Sequence, residues 1–230
     1  MAYPVVVTEP TGEGMETIVE SISNIDTDGI ITALEGIRDA ISGSTGGVEI
    51  VVENAIATGY TVSAVIPDGV TSIGDFAFED APLTQINIPD SVTSIGENAF
   101  GGAVLLAQII IPDSVTSIGD YAFYNCSSLT QINIPNGVTS IGDFAFSSTG
   151  LMQVNIPDGV TSIGDNAFNF CLELTQIYIP DNVTSIGVDA FDGINANAVI
   201  DCGFAEGAVT GAPWGAPNTV TINYGVTPNN

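Results

Sequence analysis

Apolar and polar positions alternate through the middle of the chain in an order that repeats. The repeat is marked by an Ile-Pro pair, whose proline recurs at steps of 22, 23, 23, 22 and 23 residues, at Pro67, Pro89, Pro112, Pro135, Pro157 and Pro180. One such unit is too small to bury its own apolar faces, so each copy is expected to pack on its neighbours. The pattern therefore predicts a repeat solenoid.

Within each copy, the order of residues predicts the elements. In TQINIP, Ile86 and Ile88 alternate with polar residues, which is the period of a half-buried strand. A proline-led turn follows, and VTSIG predicts a second short strand. We expect the glycine that ends this strand to turn a corner at positive φ, at Gly74, Gly96, Gly119, Gly142, Gly164 and Gly187. A short helical or 3₁₀ segment is predicted after the corner.

Two large apolar positions recur and define the predicted core. They are a phenylalanine after the corner and a leucine that closes the coil: Phe78, Phe100, Phe123, Phe146, Phe168 and Phe191, with Leu83, Leu106, Leu129, Leu151 and Leu174. Burying each ring contributes roughly 1.5–3 kcal/mol. A period between 20 and 29 residues is typical of leucine-rich repeats. The fold class that we predict is therefore a β-rich leucine-rich-repeat solenoid with a parallel sheet.

The N-terminal residues 1–47 follow a different period. Isoleucine and leucine recur at steps of three and four in two runs, which is typical of heptad helices: Ile18, Ile22 and Ile25, and, after DTDG, Ile30, Leu34, Ile37 and Ile41. We interpret this segment as a short helical anchor with a glycine-rich linker. Isoleucine at heptad core positions favours trimers over dimers, so we expect a homotrimer. The alternative is an amphipathic helix that packs on its own chain.

The remaining boundaries follow from where the repeat starts and stops. Residues 48–65 read as β-strands and are predicted to cap the first coil, and residues 66–193 form the six-repeat solenoid. Residues 194–230 leave the period and are predicted to be a C-terminal cap, with strands in VIDCGF and NTVTINYG. Trp214 is expected to cover the open end of the core; the alternative is a ring that stacks on a sugar.

The charge of the chain excludes several classes of partner. It has 27 acidic residues, one basic residue and no histidine, for a net charge of −26. Binding to nucleic acid or to an anionic membrane requires lysine and arginine, so neither is expected. The first residues have no basic, apolar signal-peptide pattern, and no apolar run is long enough for membrane insertion. We therefore expect a protein that the ordinary route does not export.

The residues that carry catalysis in most enzymes are scarce. Without histidine, no Ser-His-Asp or Cys-His triad can form. We interpret Cys126 and Cys171 as small core residues, because two coils at about 4.8 Å each separate them beyond the reach of a disulfide. The recurring carboxylates could hold calcium, but a solvated, turn-forming ridge is the preferred interpretation. We predict a non-enzymatic protein without cofactor, metal or catalytic residues.

One polar face is the candidate ligand site. Two columns on the long strand are expected to point outward, at Gln85, Asn87, Gln108, Ile110, Gln131, Asn133, Gln153, Asn155, Gln176 and Tyr178. Stacked amides can bond along the ladder as structural support, or they can bind sugar hydroxyls or a protein. Ile110 and Tyr178 break the column and are therefore the most informative positions.

The motif I-x-I-P-x-x-V-T-S-I-G-x-x-A-F-x-x-C-x-x-L resembles the BspA-like, or Treponema-type, leucine-rich repeat over residues 66 to about 191. The resemblance implies a curved right-handed solenoid, associated with bacterial surface adhesins and also with phage-encoded proteins. The two ends are similar in style to phage tail or head appendage proteins. The expected function is adhesion or display on a phage virion, bound to other virion proteins and to a host glycan or surface protein. The alternatives are a bacterial cell-surface adhesin or a purely structural decoration protein.

Overall fold

The fold is seen in a computed structural model that describes residues 5–6, 49–55, 59–66 and 68–227, with side chains for Ala64, Ile66 and residues 68–227. The predicted helical anchor, its seven heptad residues and the glycine-rich linker lie outside the described residues. The homotrimer that we expect through this segment therefore stays a prediction.

Antiparallel strands precede the repeats, and those in residues 48–65 confirm the strands predicted there. They are β1 (Val5–Val6), β2 (Glu49–Ala55) and β3 (Gly59–Val65). Glu49 lies opposite Val65 in the β2–β3 pair, and β3 then runs parallel to the first long strand of the solenoid. These strands therefore continue the sheet of the repeats on their N-terminal side.

Six coils follow, at residues 68–88, 89–111, 112–134, 135–156, 157–179 and 180–202. Each contributes a two-residue strand to one parallel six-stranded sheet: β4 (Ser72–Ile73), β6 (Ser94–Ile95), β8 (Ser117–Ile118), β9 (Ser140–Ile141), β11 (Ser162–Ile163) and β13 (Ser185–Ile186). Pairing is in register, with Ser72 beside Ser94 and Ile73 beside Ile95. Every isoleucine of this sheet is buried, so the predicted short strand is confirmed.

The long strands lie on a second side of the solenoid. They are β5 (Gln85–Asn87), β7 (Gln108–Ile110), β10 (Gln153–Asn155), β12 (Gln176–Ile179), β14 (Val199–Cys202) and β15 (Thr221–Tyr224). Residues 131–133 of the third coil form no strand. The side is therefore divided into two sheets, β1-β2-β3-β5-β7 and β10-β12-β14-β15. The last two strands confirm those predicted in VIDCGF and NTVTINYG.

The third side is a column of tight turns, and the prediction of a helical or 3₁₀ segment there is wrong. Within the first coil, Ala77 N donates to Gly74 O at 3.3 Å and Glu79 N donates to Phe76 O at 3.2 Å. The alternate amides of Phe76 and Phe78 donate instead to the next coil, at 2.8 and 2.7 Å. We call this side the turn ladder: residues 75–81, 97–103, 120–126, 143–149, 165–171 and 188–194. Half of its amides bond between coils, which a helix would not allow.

The corner glycines do not have the positive φ that we predicted for them. Positive φ falls two residues later, on Phe76, Asn98, Tyr121, Phe144, Asn166 and Asp189. The glycines are needed for space: a Cβ on Gly119 would lie 2.8 Å from the carbonyl carbon of Gly96, and one on Gly142 would lie 2.6 Å from that of Gly119. Consecutive coils touch through backbone at this corner, which excludes any side chain.

The core between the three sides is a column of stacked rings, as predicted. The six phenylalanines are fully buried, and neighbouring ring centroids lie 5.2–5.8 Å apart. The five closing leucines are also fully buried. Beyond the last ring, Trp214 meets Phe191 edge-on at 6.2 Å, and its indole N–H donates to Thr210 O at 2.9 Å. Trp214 is 2% exposed, so the alternative in which its ring stacks on a sugar is not supported.

Candidate functional site

The ten residues of the predicted ligand face all lie on the outer side of the long strands or of the equivalent third-coil segment. Nine of them are exposed and Tyr178 is half-buried. Strand register aligns Gln85 with Gln108 and Gln153 with Gln176. The columns are not continuous sheet, because the strand ladder is interrupted at the third coil. The structure thus brings these side chains to one face as two short rows.

The amides of this face are not used to support the fold. No side-chain hydrogen bond joins any of the eight amide side chains of the face to another described residue. By contrast, between the last two strands, the side-chain amide of Asn223 donates to Oδ1 of Asp201 at 2.7 Å. These side chains therefore form no hydrogen-bonded ladder among the described residues, and their donors and acceptors face solvent.

The second coil carries three exposed apolar side chains, one on its long strand and two just before that strand. Ile110 is 77% exposed, and Leu105 and Val104, which precede the same strand, are 50% and 42% exposed. The third coil has Asn133, Ser128 and Ser127 at the matching positions. We call Val104, Leu105 and Ile110 the apolar stripe. Because the third coil fills all three positions with polar residues, the fold does not require apolar ones.

Tyr178, the other departure from the column, has a packing explanation. Its hydroxyl lies 3.0 Å from the position that a Cβ on Gly203 would occupy, so the ring rests against a glycine of the next turn of chain. Burial, followed by the charges of Asp158 and Asp181, raises the pKa of Tyr178 above its ordinary value. The phenol is therefore neutral near pH 7, and no comparable contact accounts for Ile110.

A second cluster lies on the turn ladder, and the sequence argument did not single it out. The rings of Tyr121 and Phe144 stack at 4.7 Å with an angle of 4°, and Tyr124 meets Tyr121 edge-on at 5.8 Å. Tyr124 is 40% exposed, and the other two rings are half-buried. We call these three residues the aromatic patch. The signal that could have found it is a column that holds Asn98, Asn166 and Asp189 in three coils but aromatic residues in two consecutive coils here.

Carboxylates beside the patch hold the coils together. Asp120 accepts the backbone N–H of Asp143 through Oδ1 at 2.8 Å, and Asp143 accepts that of Asp165 at 2.7 Å. Asp75 and Asp165 do the same for the coils that follow them. These carboxylates thus join successive coils to one another. No group of three metal-binding side chains occurs in the part of the chain whose side chains are described.

The cysteines are buried and unpaired, as the spacing argument predicts. Cys126 and Cys171 each donate to a backbone carbonyl of the preceding coil, Phe100 O and Phe146 O, at 3.1 Å. Burial raises the pKa of the Cys126 thiol to about 12 and that of Cys171 to about 11. Neither thiol is a nucleophile near neutral pH, because the thiolate is the reactive form.

Among the described residues, no helix is long and apolar enough to span a membrane.

Solved structures of similar proteins share this fold. A leucine-rich repeat protein from Bacteroides ovatus is 28% identical with a TM-score of 0.59, over 70% of this chain and 42% of that one. A leucine-rich repeat protein from T. pallidum is 29% identical with a TM-score of 0.57, over 75% and 82% of the two chains. The chain thus spans less than half of the Bacteroides protein. No curated protein matches it.

The sequence itself matches the family described as BspA type leucine rich repeat region, in six copies, over residues 53–171 and 102–202. The matched residues span well over half of the chain and contain all six coils. The resemblance found in the repeat motif is thereby confirmed, and with it the leucine-rich-repeat solenoid. The chain belongs to the BspA-type leucine-rich-repeat family.

Proposed function

We propose that the chain is a non-enzymatic binding module of a bacterial surface adhesin or host-interaction protein, and that its long-strand face contacts a protein partner. The observation that carries the proposal is the apolar stripe. Its Ile110 is 77% exposed and is surrounded by Asn and Gln side chains that make no hydrogen bond to a described residue. An apolar centre with a polar rim is the usual anatomy of a protein interface. A purely sugar-binding face would not gain from three exposed aliphatic side chains.

The bacterial setting is supported by the family match and by the two bacterial leucine-rich repeat proteins of similar structure. The phage appendage, which rests on the style of the chain ends alone, has no support from these similarities. The proposal includes residues 1–47 as a trimeric anchor. It also includes the segments on either side of the repeats, residues 48–65 and 194–230, as caps.

Binding assays with the full chain test this function. Immobilised chain is presented with purified host extracellular-matrix proteins and, separately, with a glycan array. We expect a protein ligand whose affinity falls about tenfold in the double variant Leu105→Ser, Ile110→Asn, since losing two apolar contacts of about 1 kcal/mol each exceeds the 1.4 kcal/mol that corresponds to a tenfold change. These replacements copy the third coil, so the fold is kept.

Val188→Asn is the matched control, because Val188 is 68% exposed on the turn ladder, away from the long-strand face. It makes the same apolar-to-amide change and is expected to bind like the parent chain. Equal loss in the control, binding to glycans alone, or no binding to either panel would each overturn the proposal.

A further inference from the structure

The aromatic patch occupies positions that the other coils fill with polar residues or glycine, except that the first coil places an isolated Phe76 in the same column. Asparagine stands in the column of Tyr121 and Phe144 in the second and fifth coils, and Gly101 and Ser147 stand where Tyr124 does. Those coils keep the same turn geometry and the same inter-coil hydrogen bonds. The three rings therefore do not serve the solenoid as such.

Tyr121 and Phe144 are also placed at a conformational cost. Their φ values are 57° and 55°, in the left-handed region that bulky side chains rarely adopt. Asparagine adopts this region more readily, and the chain uses it there in two coils. The fold thus tolerates a strained aromatic pair in neighbouring coils, with its rings stacked and partly open to solvent.

The charge around the patch selects the chemistry of its occupant. Asp120 and Asp143, which directly precede the two stacked rings, are exposed, and each engages only one carboxylate oxygen with the backbone. No residue from 68 to 227 is lysine, arginine or histidine, so nothing in this part of the chain neutralises them. A partner that brings positive charge is attracted, whereas an anionic one is repelled.

We propose that the aromatic patch is a docking site for an arginine-bearing segment of a cationic protein or peptide. A guanidinium group is flat and weakly hydrated, packs on aromatic rings and pairs with carboxylates, so it matches both features of this surface. A lysine ammonium matches the charge but lacks the plane. The site lies on the turn ladder and not on the long strands, so it is independent of the function proposed above.

Fluorescence anisotropy with labelled octa-arginine and octa-lysine, at physiological ionic strength, tests the site in the full chain. The double variant Tyr121→Asn, Phe144→Asn removes the ring pair, leaves the net charge unchanged and installs the residue that other coils use. We expect the variant to bind octa-arginine about tenfold more weakly than the parent. We also expect the parent to prefer octa-arginine to octa-lysine.

Phe76→Asn is the matched control. Phe76 lies in the same column with a φ of 60° and 49% exposure, but outside the patch, and its replacement is expected to leave both affinities unchanged. Equal binding of octa-arginine by the double variant and the parent would reduce the effect to overall charge and overturn the proposal. Failure of the parent to prefer octa-arginine would overturn it as well. Far-ultraviolet circular dichroism verifies that each variant is folded.

Discussion

At the scale of single residues, two glycine positions recur in the coils, one at the corner and one in the proline-led turn, and they differ in how much space they leave for a side chain. The corner glycine lies against backbone of the preceding coil, with 2.6 Å left for a Cβ on Gly142. At the turn, a Cβ on Gly137 would meet its nearest atom at 3.3 Å, and other coils place Ser91 and Ser114 there. The corner excludes a side chain, whereas the turn accepts one at Gly137, although not at Gly159, where a Cβ would overlap Asn136 O.

Gly142→Ala is therefore expected to destabilise the protein by about 2 kcal/mol, because the added methyl group overlaps the carbonyl carbon of Gly119 and the coils must separate. Gly137→Ser, the control, is expected to stay within about 0.5 kcal/mol of the parent. Chemical denaturation followed by circular dichroism measures both. An alanine variant as stable as the serine variant would contradict the assignment of the corner to close backbone contact.

At the scale of elements, the strands could be predicted from the sequence and the turn ladder could not. Alternation in TQINIP and the buried isoleucine of VTSIG gave both strand types, because period-two burial is a direct property of an extended chain. After the corner, by contrast, the Ala-Phe pair gives no such period. Its conformation is set by hydrogen bonds to the next coil, such as Phe78 N to Ala99 O, which are tertiary.

The carboxylates of the turn ladder should stabilise the fold mainly as acceptors of backbone hydrogen bonds, and less through their charge. Asp143→Ala removes the acceptor of the Asp165 amide and is expected to lower the thermal unfolding midpoint, by an amount equivalent to about 1 kcal/mol. Asp143→Asn keeps a side-chain oxygen and is expected to match the parent. Equal destabilisation in the two variants, measured by scanning calorimetry, would show that the carboxylate acts through its charge.

At the scale of the whole molecule, like charge opposes the stacking of the coils. The net charge is −26, and the column at Asp68, Asp90, Asp113, Asp158 and Asp181 repeats an exposed carboxylate on most coils, with Asn136 in the fourth. The sequence alone establishes this repulsion and the solenoid. It could not establish the two-sheet division of the long-strand side, because residues 131–133 read like every other copy.

Raising the ionic strength should therefore stabilise the protein. Charges one coil apart, at about 4.8 Å, lie within a screening length of about 8 Å at physiological salt, so added sodium chloride weakens their repulsion. We expect the thermal midpoint to rise by several degrees between low and high salt. In the variant Asp158→Asn, Asp181→Asn, which extends the asparagine of the fourth coil, the rise should be smaller. A midpoint independent of salt would contradict this account.

The even spacing of the buried rings also has a consequence for the gene. Because consecutive phenylalanines lie 5.2–5.8 Å apart in nearly parallel planes, the two ends of any coil present almost the same surface. Unequal recombination between two repeats in register removes or inserts a whole coil and still joins one ring column to the next. The length of the module can therefore change in steps of 22 or 23 codons, and we expect the shorter and longer modules to keep the ring column.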